Sequence, residues 1–309
     1  MNPNGLILID KPEGKTSMQV DSAVKRALGT RKVGHSGTLD PFATGLLPVY
    51  AGEGLKFVRY TDGFDKAYRC RIRFGIATDT MDKEGEAVDR HVFDEREKEE
   101  LTATDFMAVR DAFERIASST EQLPPKYSAK KINGRKAYEL AREGAEVKLE
   151  PQKIRIWDAK IESIGFEGEY LEAVFSLSCS KGTYIRVICD DWGRECGFYA
   201  HALELRRTRA GQFRVEDAVG LDHFLKMVEE GDESFLRDPS ETVSFMPAIE
   251  LNAKDAKDLK FGRKVTAASY GIDPDTLYRA CFEGSLIAVV YLSEEQERQV
   301  LRIDRMLAK

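Results

Sequence analysis

Apolar and polar positions along this chain recur in two rhythms, and their succession predicts its elements. Gly5 to Asp10 reads as a short buried strand, turned by Lys11-Pro12-Glu13-Gly14. Thr16 and Gln19 have the spacing of a capping box, and Val20, Ala23, Val24, Ala27 and Leu28 repeat at helical intervals before Gly29, so a helix follows. From Lys66 to Phe74 the period is two: Tyr68, Cys70, Ile72 and Phe74 share one face, and Arg69, Arg71 and Arg73 the other, which predicts a strand with a basic outer side. Phe106, Val109, Phe113 and Ile116 mark a helix ended by Pro124-Pro125. A second alternating strand spans Leu171 to Cys179, and a helix with Arg186 in its first turn begins after Gly182. His201 to Arg209 is a further strand with basic ends. Glu229 to Ser244, polar and interrupted by Gly231 and Pro239, reads as a connection. Apolar runs beyond Ile249, such as Leu286 to Leu292, suit a small all-β or α+β module.

A chain of 309 residues can bury a core without disulfides or metals. Its five cysteines are odd in number and lack CxxC spacing, so they read as reduced core thiols, and its four histidines lack metal-ligand spacing; no metal is expected. No phosphate or dinucleotide signature is present, so no cofactor is expected either. The start has no basic n-region, and its apolar run Leu6 to Ile9 is interrupted by Asp10, which predicts a cytoplasmic protein without signal peptide or membrane span.

The net charge of −6 is unevenly spread. Asp82 to Asp105 carries ten acidic and four basic residues, a local balance equal to that of the whole chain. Lys126 to Lys136 carries five basic and no acidic residues, and Lys181 to Arg214 seven basic against four acidic. Basic patches suited to phosphate contacts therefore survive under an acidic pI, and the acidic stretch is expected to face away from a nucleic-acid partner.

The stretch Gly34-His35-Ser36-Gly37-Thr38-Leu39-Asp40-Pro41-Phe42-Ala43-Thr44-Gly45-Leu46-Leu47-Pro48-Val49 carries the strongest chemical signal. Its glycines allow geometry other residues resist, and Pro41 forces an extended Asp40, so the carboxylate is aimed by the chain rather than buried. A lone Asp-Pro would be a surface turn. Sixteen residues in register closely resemble the catalytic loop of the TruB family of tRNA pseudouridine synthases. Four other segments resemble that family in order. Ile9 to Ser17 is similar to its N-terminal motif, Lys66-Ala67-Tyr68-Arg69 to its tyrosine strand, and Pro124 to Lys131 with Gly134 and Ala137-Tyr138 to its RNA-gripping insertion. Cys179 to Arg186 with Leu205-Arg206-Arg207 is similar to its arginine motif. The match spans roughly the first 215 residues; Ser36 and Phe42 replace the family's usual Thr and Leu.

The resemblance implies isomerisation of the T-loop uridine at tRNA position 55 to pseudouridine, by a monomer acting on the T-arm stem-loop without guide RNA. It implies an α+β catalytic domain over residues 1–247, built on a mainly antiparallel mixed sheet with an RNA-gripping insertion at about 124–151, and a PUA-like RNA-binding module over 248–309. The chemistry needs a C–N bond broken, the uracil turned while held, and a C–C bond formed at the same sugar carbon. Hydrolytic glycosidases commonly use two carboxylates because one handles water; an isomerase keeps its base in the pocket, so one can suffice. The resemblance assigns that role to Asp40, whether by attack on the sugar, addition to the base or removal of a ribose proton.

Arg186 is the candidate partner of Asp40, since its planar fork takes a carboxylate in two parallel bonds; the alternative is an ordinary pairing with Asp190, four residues on. Tyr68 is either a core tyrosine or the family's platform for the target uracil, with Tyr184 and Leu205 lining the same pocket. His35, between glycines, has no core to satisfy, and the resemblance makes it the group that fills the space of the flipped uridine. Lys11, Lys130, Lys131, Arg135 and Lys136 read as phosphate contacts or as solvated surface charges. A non-catalytic RNA-binding protein on this scaffold would need the basic insertion but not Asp40.

Overall fold

The two rhythms fold into strands and helices close to where they predict them. The computed structural model describes residues 3–125, 131–132, 135–136, 149–295 and 298–307. Strand β1 (Gly5–Lys11) leads to α1 (Ser17–Ala27), whose capping box is made: the Thr16 hydroxyl accepts from the Gln19 amide, and the Gln19 side chain accepts from the Thr16 amide. Short β2 (Val33–His35) and β3 (Thr44–Ala51) flank the Asp40 loop, and β4 (Lys66–Phe74) follows. Next come α2 (Glu95–Ala103), α3 (Met107–Ala117), β5 (Ile156–Glu167), β6 (Tyr170–Cys179) and α4 (Ile185–Cys196). Strands β7 (Ala200–Ala210), β8 (Phe213–Arg214) and β9 (Val219–Gly220) precede α5 (Leu221–Glu230).

These nine strands form one mixed sheet in the order β5-β6-β4-β7-β3-β1-β9, with β8 pairing β7 and β2 pairing β3. Only β7 with β3 and β1 with β9 run parallel; every other pair is antiparallel. The architecture is thus α+β on a mainly antiparallel sheet. Helices α3 and α4 cover one half of it: Trp192 is fully buried against Phe113, Phe74 and Phe175, and its indole N–H donates to the Val109 carbonyl. Helices α1 and α5 close a second core over β1 and β3.

The basic side of β4 is neutralised by its neighbours. Arg69 pairs with Glu162 at 2.7 Å, Arg71 with Glu172 at 2.6 Å and Glu204 at 3.5 Å, and Arg73 with Glu172 at 2.6 Å. Cross-strand ion pairs therefore occupy the basic outer face that the alternation predicts.

The expected connection at Glu229 to Ser244 is instead part of α5 and a built segment. Arg237 exchanges backbone hydrogen bonds with Leu6, and Thr242 and Val243 are fully buried. Beyond it, β10 (Ala248–Glu250), α6 (Ala253–Lys260), β11 (Val265–Thr266), β12 (Tyr278–Phe282), β13 (Ser285–Glu295) and β14 (Arg298–Met306) make a five-stranded sheet with its own core. Cys281, Leu286 and Val289 also pack into a core shared with β1 and β3, and Asp304 takes the Tyr60 hydroxyl. Among the described residues no helix is long and apolar enough to cross a membrane.

Candidate active site

Asp40 is held by a loop whose other members are anchored. Leu39 and Phe42 are buried on either side of it. The Ser17 hydroxyl, at the start of α1, donates to the Leu39 carbonyl at 3.2 Å and accepts from the Leu39 amide at 2.9 Å. The Pro41 carbonyl accepts from the Gly14 amide at 2.9 Å and from the Lys11 ammonium at 3.1 Å. Lys11 is fully buried and gives its other protons to the carbonyls of Pro12 (2.9 Å) and Lys15 (2.6 Å). Lost hydration lowers its pKa from 10.5 to about 8. The phosphate contact expected of Lys11 is thereby corrected: its charge is spent inside the protein, tying the turn after β1 to the Asp40 loop. Gly45 leaves the loop at φ +101°, where the Arg207 carbonyl oxygen would stand 2.3 Å from a Cβ, so only glycine lets β3 and β7 approach.

Arg186 arrives from α4. Gln122 grips the residue capping that helix, its amide donating to the Tyr184 carbonyl at 3.1 Å and its oxygen accepting from the Tyr184 amide at 2.8 Å. The Arg186 side chain is only 4% exposed, while that of Asp40 is 37% exposed. Its Nε lies 2.8 Å from Asp40 Oδ2 and its Nη2 donates to Oδ1 at 3.3 Å, the two-point pairing a guanidinium fork permits. The alternative pairing with Asp190 is not made, because Asp190 accepts from Arg194 at 2.7 Å.

A second carboxylate, unforeseen in the sequence, stands behind the pair. Arg186 Nη1 donates to the Thr80 carbonyl at 2.7 Å and lies 3.5 Å from Asp82 Oδ2. Asp82 is 5% exposed, and burial raises its pKa against the opposing pull of the Thr80 hydroxyl and Arg186. The expectation that the whole acidic stretch faces away is therefore corrected at its first residue; α2, within the same stretch, has no buried residue. The available signal was Asp79-Thr80-Met81-Asp82 directly after a strand, a cluster that builds side-chain-bonded turns.

Asp40, Tyr68, Tyr184, Arg186 and Leu205 line one cavity of about 420 Å³, together with Lys66, Gln152 and Arg207. Its size is in the range of single small-molecule sites, roughly 300–1,000 Å³. Tyr68 is 8% exposed; burial raises its hydroxyl pKa, and the Arg207 guanidinium opposes that rise.

His35 is placed outside this cavity. It is paired rather than free, with Nδ1 2.8 Å from the buried Asp21 carboxylate and Nε2 3.2 Å from the Thr38 hydroxyl. Lys131, Arg135 and Lys136 belong to two short strands that pair across 133–134; their side chains, and all of Lys130, lie outside the described residues.

Comparison with known proteins identifies the family of the chain. Residues 25–185 match the family described as TruB family pseudouridylate synthase (N terminal domain), and residues 186–241 match the tRNA pseudouridylate synthase B C-terminal domain. The chain is 36% identical over 313 residues to tRNA pseudouridine synthase B of Geobacter sulfurreducens, covering 97% of this chain and 99% of that one. It is 40% identical over 267 residues to the protein of the same name from Aromatoleum aromaticum, covering 85% and 82%. Among solved structures, one described as a Cbf5-Nop10-Gar1 complex superposes with a TM-score of 0.69 at 21% identity, over 99% of this chain and 85% of that one, a likeness of fold.

Proposed function

This chain belongs to the TruB family of pseudouridylate synthases, isomerases acting on tRNA, and from that premise we propose that it converts one T-loop uridine, flipped into the Asp40 cavity, with Asp40 as its essential group. The two-point Arg186–Asp40 pair at that cavity carries the reading. Isomerisation breaks the bond from N1 to C1′, joins C5 to the same carbon, releases the C5 proton and returns one to N1. Whether Asp40 meets the sugar, the base or a ribose proton first, it must be ionised and fixed in direction. Arg186 serves the second need: its fork sets the plane of the carboxylate.

Tyr68, Tyr184 and Leu205 supply the apolar walls against which an unstacked uracil rests. His35, fixed by Asp21, fills the place the nucleotide leaves in the RNA. Lys130, Lys131, Arg135 and Lys136 grip the T-arm backbone, and the five-stranded C-terminal sheet is read as the PUA-like module. In this reading the protein is a cytoplasmic monomer that needs no guide RNA. The test is pseudouridine mapping on unmodified tRNA incubated with purified protein alone. One new pseudouridine in the T-loop is expected; modification elsewhere, or only after a second RNA is added, would overturn the assignment.

A further inference from the structure

Arg207 is a buried charge that the reading above leaves unused. It stands on β7 directly opposite Tyr68 on β4, so the two side chains leave the same face of the sheet as nearest cross-strand neighbours, and both line the Asp40 cavity. Arg207 is 1% exposed. Its Nε donates to the Leu46 carbonyl at 2.7 Å, and its Nη1 lies so close to Gly37 that a Cβ there would be 3.1 Å away. Its Nη2 is buried without a hydrogen-bond partner. Arg206, its neighbour, pairs with Asp10, but Arg207 has no carboxylate in ion-pair contact among the described residues. Two other cations, Lys11 and Lys66, feel its charge.

A guanidinium buried without a counter-charge is costly, and an apolar residue would fill the position at lower cost. The charge is explained if it acts on the cavity. We propose that Arg207 is a positioning residue for the isomerisation: facing the Tyr68 phenol, it holds that oxygen as an acceptor and so fixes the plane of the ring against which the bound uracil rests. A guanidinium has donors only, so a phenol set against it must give its proton elsewhere. A ring plane fixed through its own hydroxyl holds the uracil in one orientation while N1 parts from C1′ and C5 turns to the same carbon. The cross-strand placement sets this geometry, and the lowering influence of Arg207 on the Tyr68 hydroxyl accords with it.

The inference rests on the reading that a flipped uracil occupies the cavity, and a double-mutant cycle tests it. Single-turnover pseudouridine formation on unmodified tRNA is measured for wild type, Arg207→Gln, Arg207→Lys, Tyr68→Phe and the double variants, with filter binding for tRNA affinity. Each single variant should lose on the order of 10- to 10²-fold in rate with affinity changed less than about 3-fold. In the Tyr68→Phe background, changing Arg207 should cost less than about 3-fold more. Losses that multiply in the double variant would show Arg207 acting apart from the Tyr68 hydroxyl and overturn the proposal, as would an Arg207 variant as fast as wild type. Arg207→Lys, which keeps a cation and most of the volume, completes the cycle if Arg207→Gln does not fold. A wild-type protein that forms no pseudouridine would instead fail the functional reading, before any variant is compared.

Discussion

Replacing Arg186 by lysine keeps the charge and removes the fork, which makes it the most discriminating perturbation of the site. Arg186 reaches both oxygens of Asp40, the Thr80 carbonyl and, at longer range, Asp82. A lysine ammonium at the end of a flexible stem can meet one edge of Asp40 but cannot also reach Thr80 in the same plane. Hydrogen bonds involving a charged group contribute about 1.5–3 kcal/mol each. At Asp40, whose side chain is 37% exposed, water replaces part of the lost bond, so that share is discounted. At Thr80, the partner is a guanidinium only 4% exposed, and the full loss applies. The net effect is about 2–3 kcal/mol of transition-state stabilisation, or roughly 30- to 160-fold in rate. Single-turnover conversion of tRNA measures it, with filter binding as the control. A surface ion pair is worth at most about 1 kcal/mol, so a rate within about 3-fold of wild type would refute the claim that the fork orients Asp40.

Further outcomes follow from other parts of the structure. Asp40→Asn should slow single turnover by at least about 10²-fold while tRNA affinity holds within a few-fold, since it removes the ionised oxygen and no phosphate contact; near-normal turnover would remove Asp40 from the chemistry. Above about pH 8 Lys11 loses one of the three protons that tie the turn after β1 to the Asp40 loop, so turnover should fall through that value, whereas Lys11→Met should be slow throughout and lack this limb. Between about 8 and 10.5 the unfolded chain holds the Lys11 proton and the folded one does not, so this group's contribution to stability rises with pH; the difference in thermal unfolding between wild type and Lys11→Met checks that sign. Gly45→Ala should destabilise by about 3 kcal/mol or more in denaturant melts, because its Cβ would meet backbone rather than a movable side chain. Neutralising Lys130, Lys131, Arg135 and Lys136 together should flatten the salt dependence of tRNA binding by a little under about one slope unit per lost contact, and neutralising four acids of α2 should change it far less; the reverse ranking would misplace the RNA face.

The outline of the fold was legible because local pattern and tertiary environment agree. The Thr16 capping box, the period-two run of β4 and the apolar stripe of α4 each bury the face that spacing picks out. Where an element buries nothing, periodicity is silent: α2 has no buried residue, and only its Asp94–Glu97 capping box announces it. The edge strand β5 is half-exposed along its length and was missed for the same reason.

The site divides along a similar line. Asp40, Tyr68 and Arg186 stand out in the sequence because each sits in a long ordered motif, and the fold brings all three to one cavity, but the fate of a charge depends on partners that spacing does not reveal. Of the seven basic residues from Lys181 to Arg214, three pair with carboxylates, Arg186 with Asp40, Arg194 with Asp190 and Arg206 with Asp10, and Arg207 is buried. Lys181, Arg209 and Arg214 are left as the candidates for phosphate contact in that stretch, so a count of basic residues overstates its electrostatic reach more than twofold. The acidic side errs in the opposite sense: Asp82 counts toward the repulsive stretch, yet it is enclosed beside Arg186, where its charge bears on the orientation of Asp40 rather than on approaching RNA. Net charge along a segment therefore bounds the long-range field. Only the burial and pairing of each group decide which charges remain to meet a phosphate and which have been committed to holding the Asp40 loop.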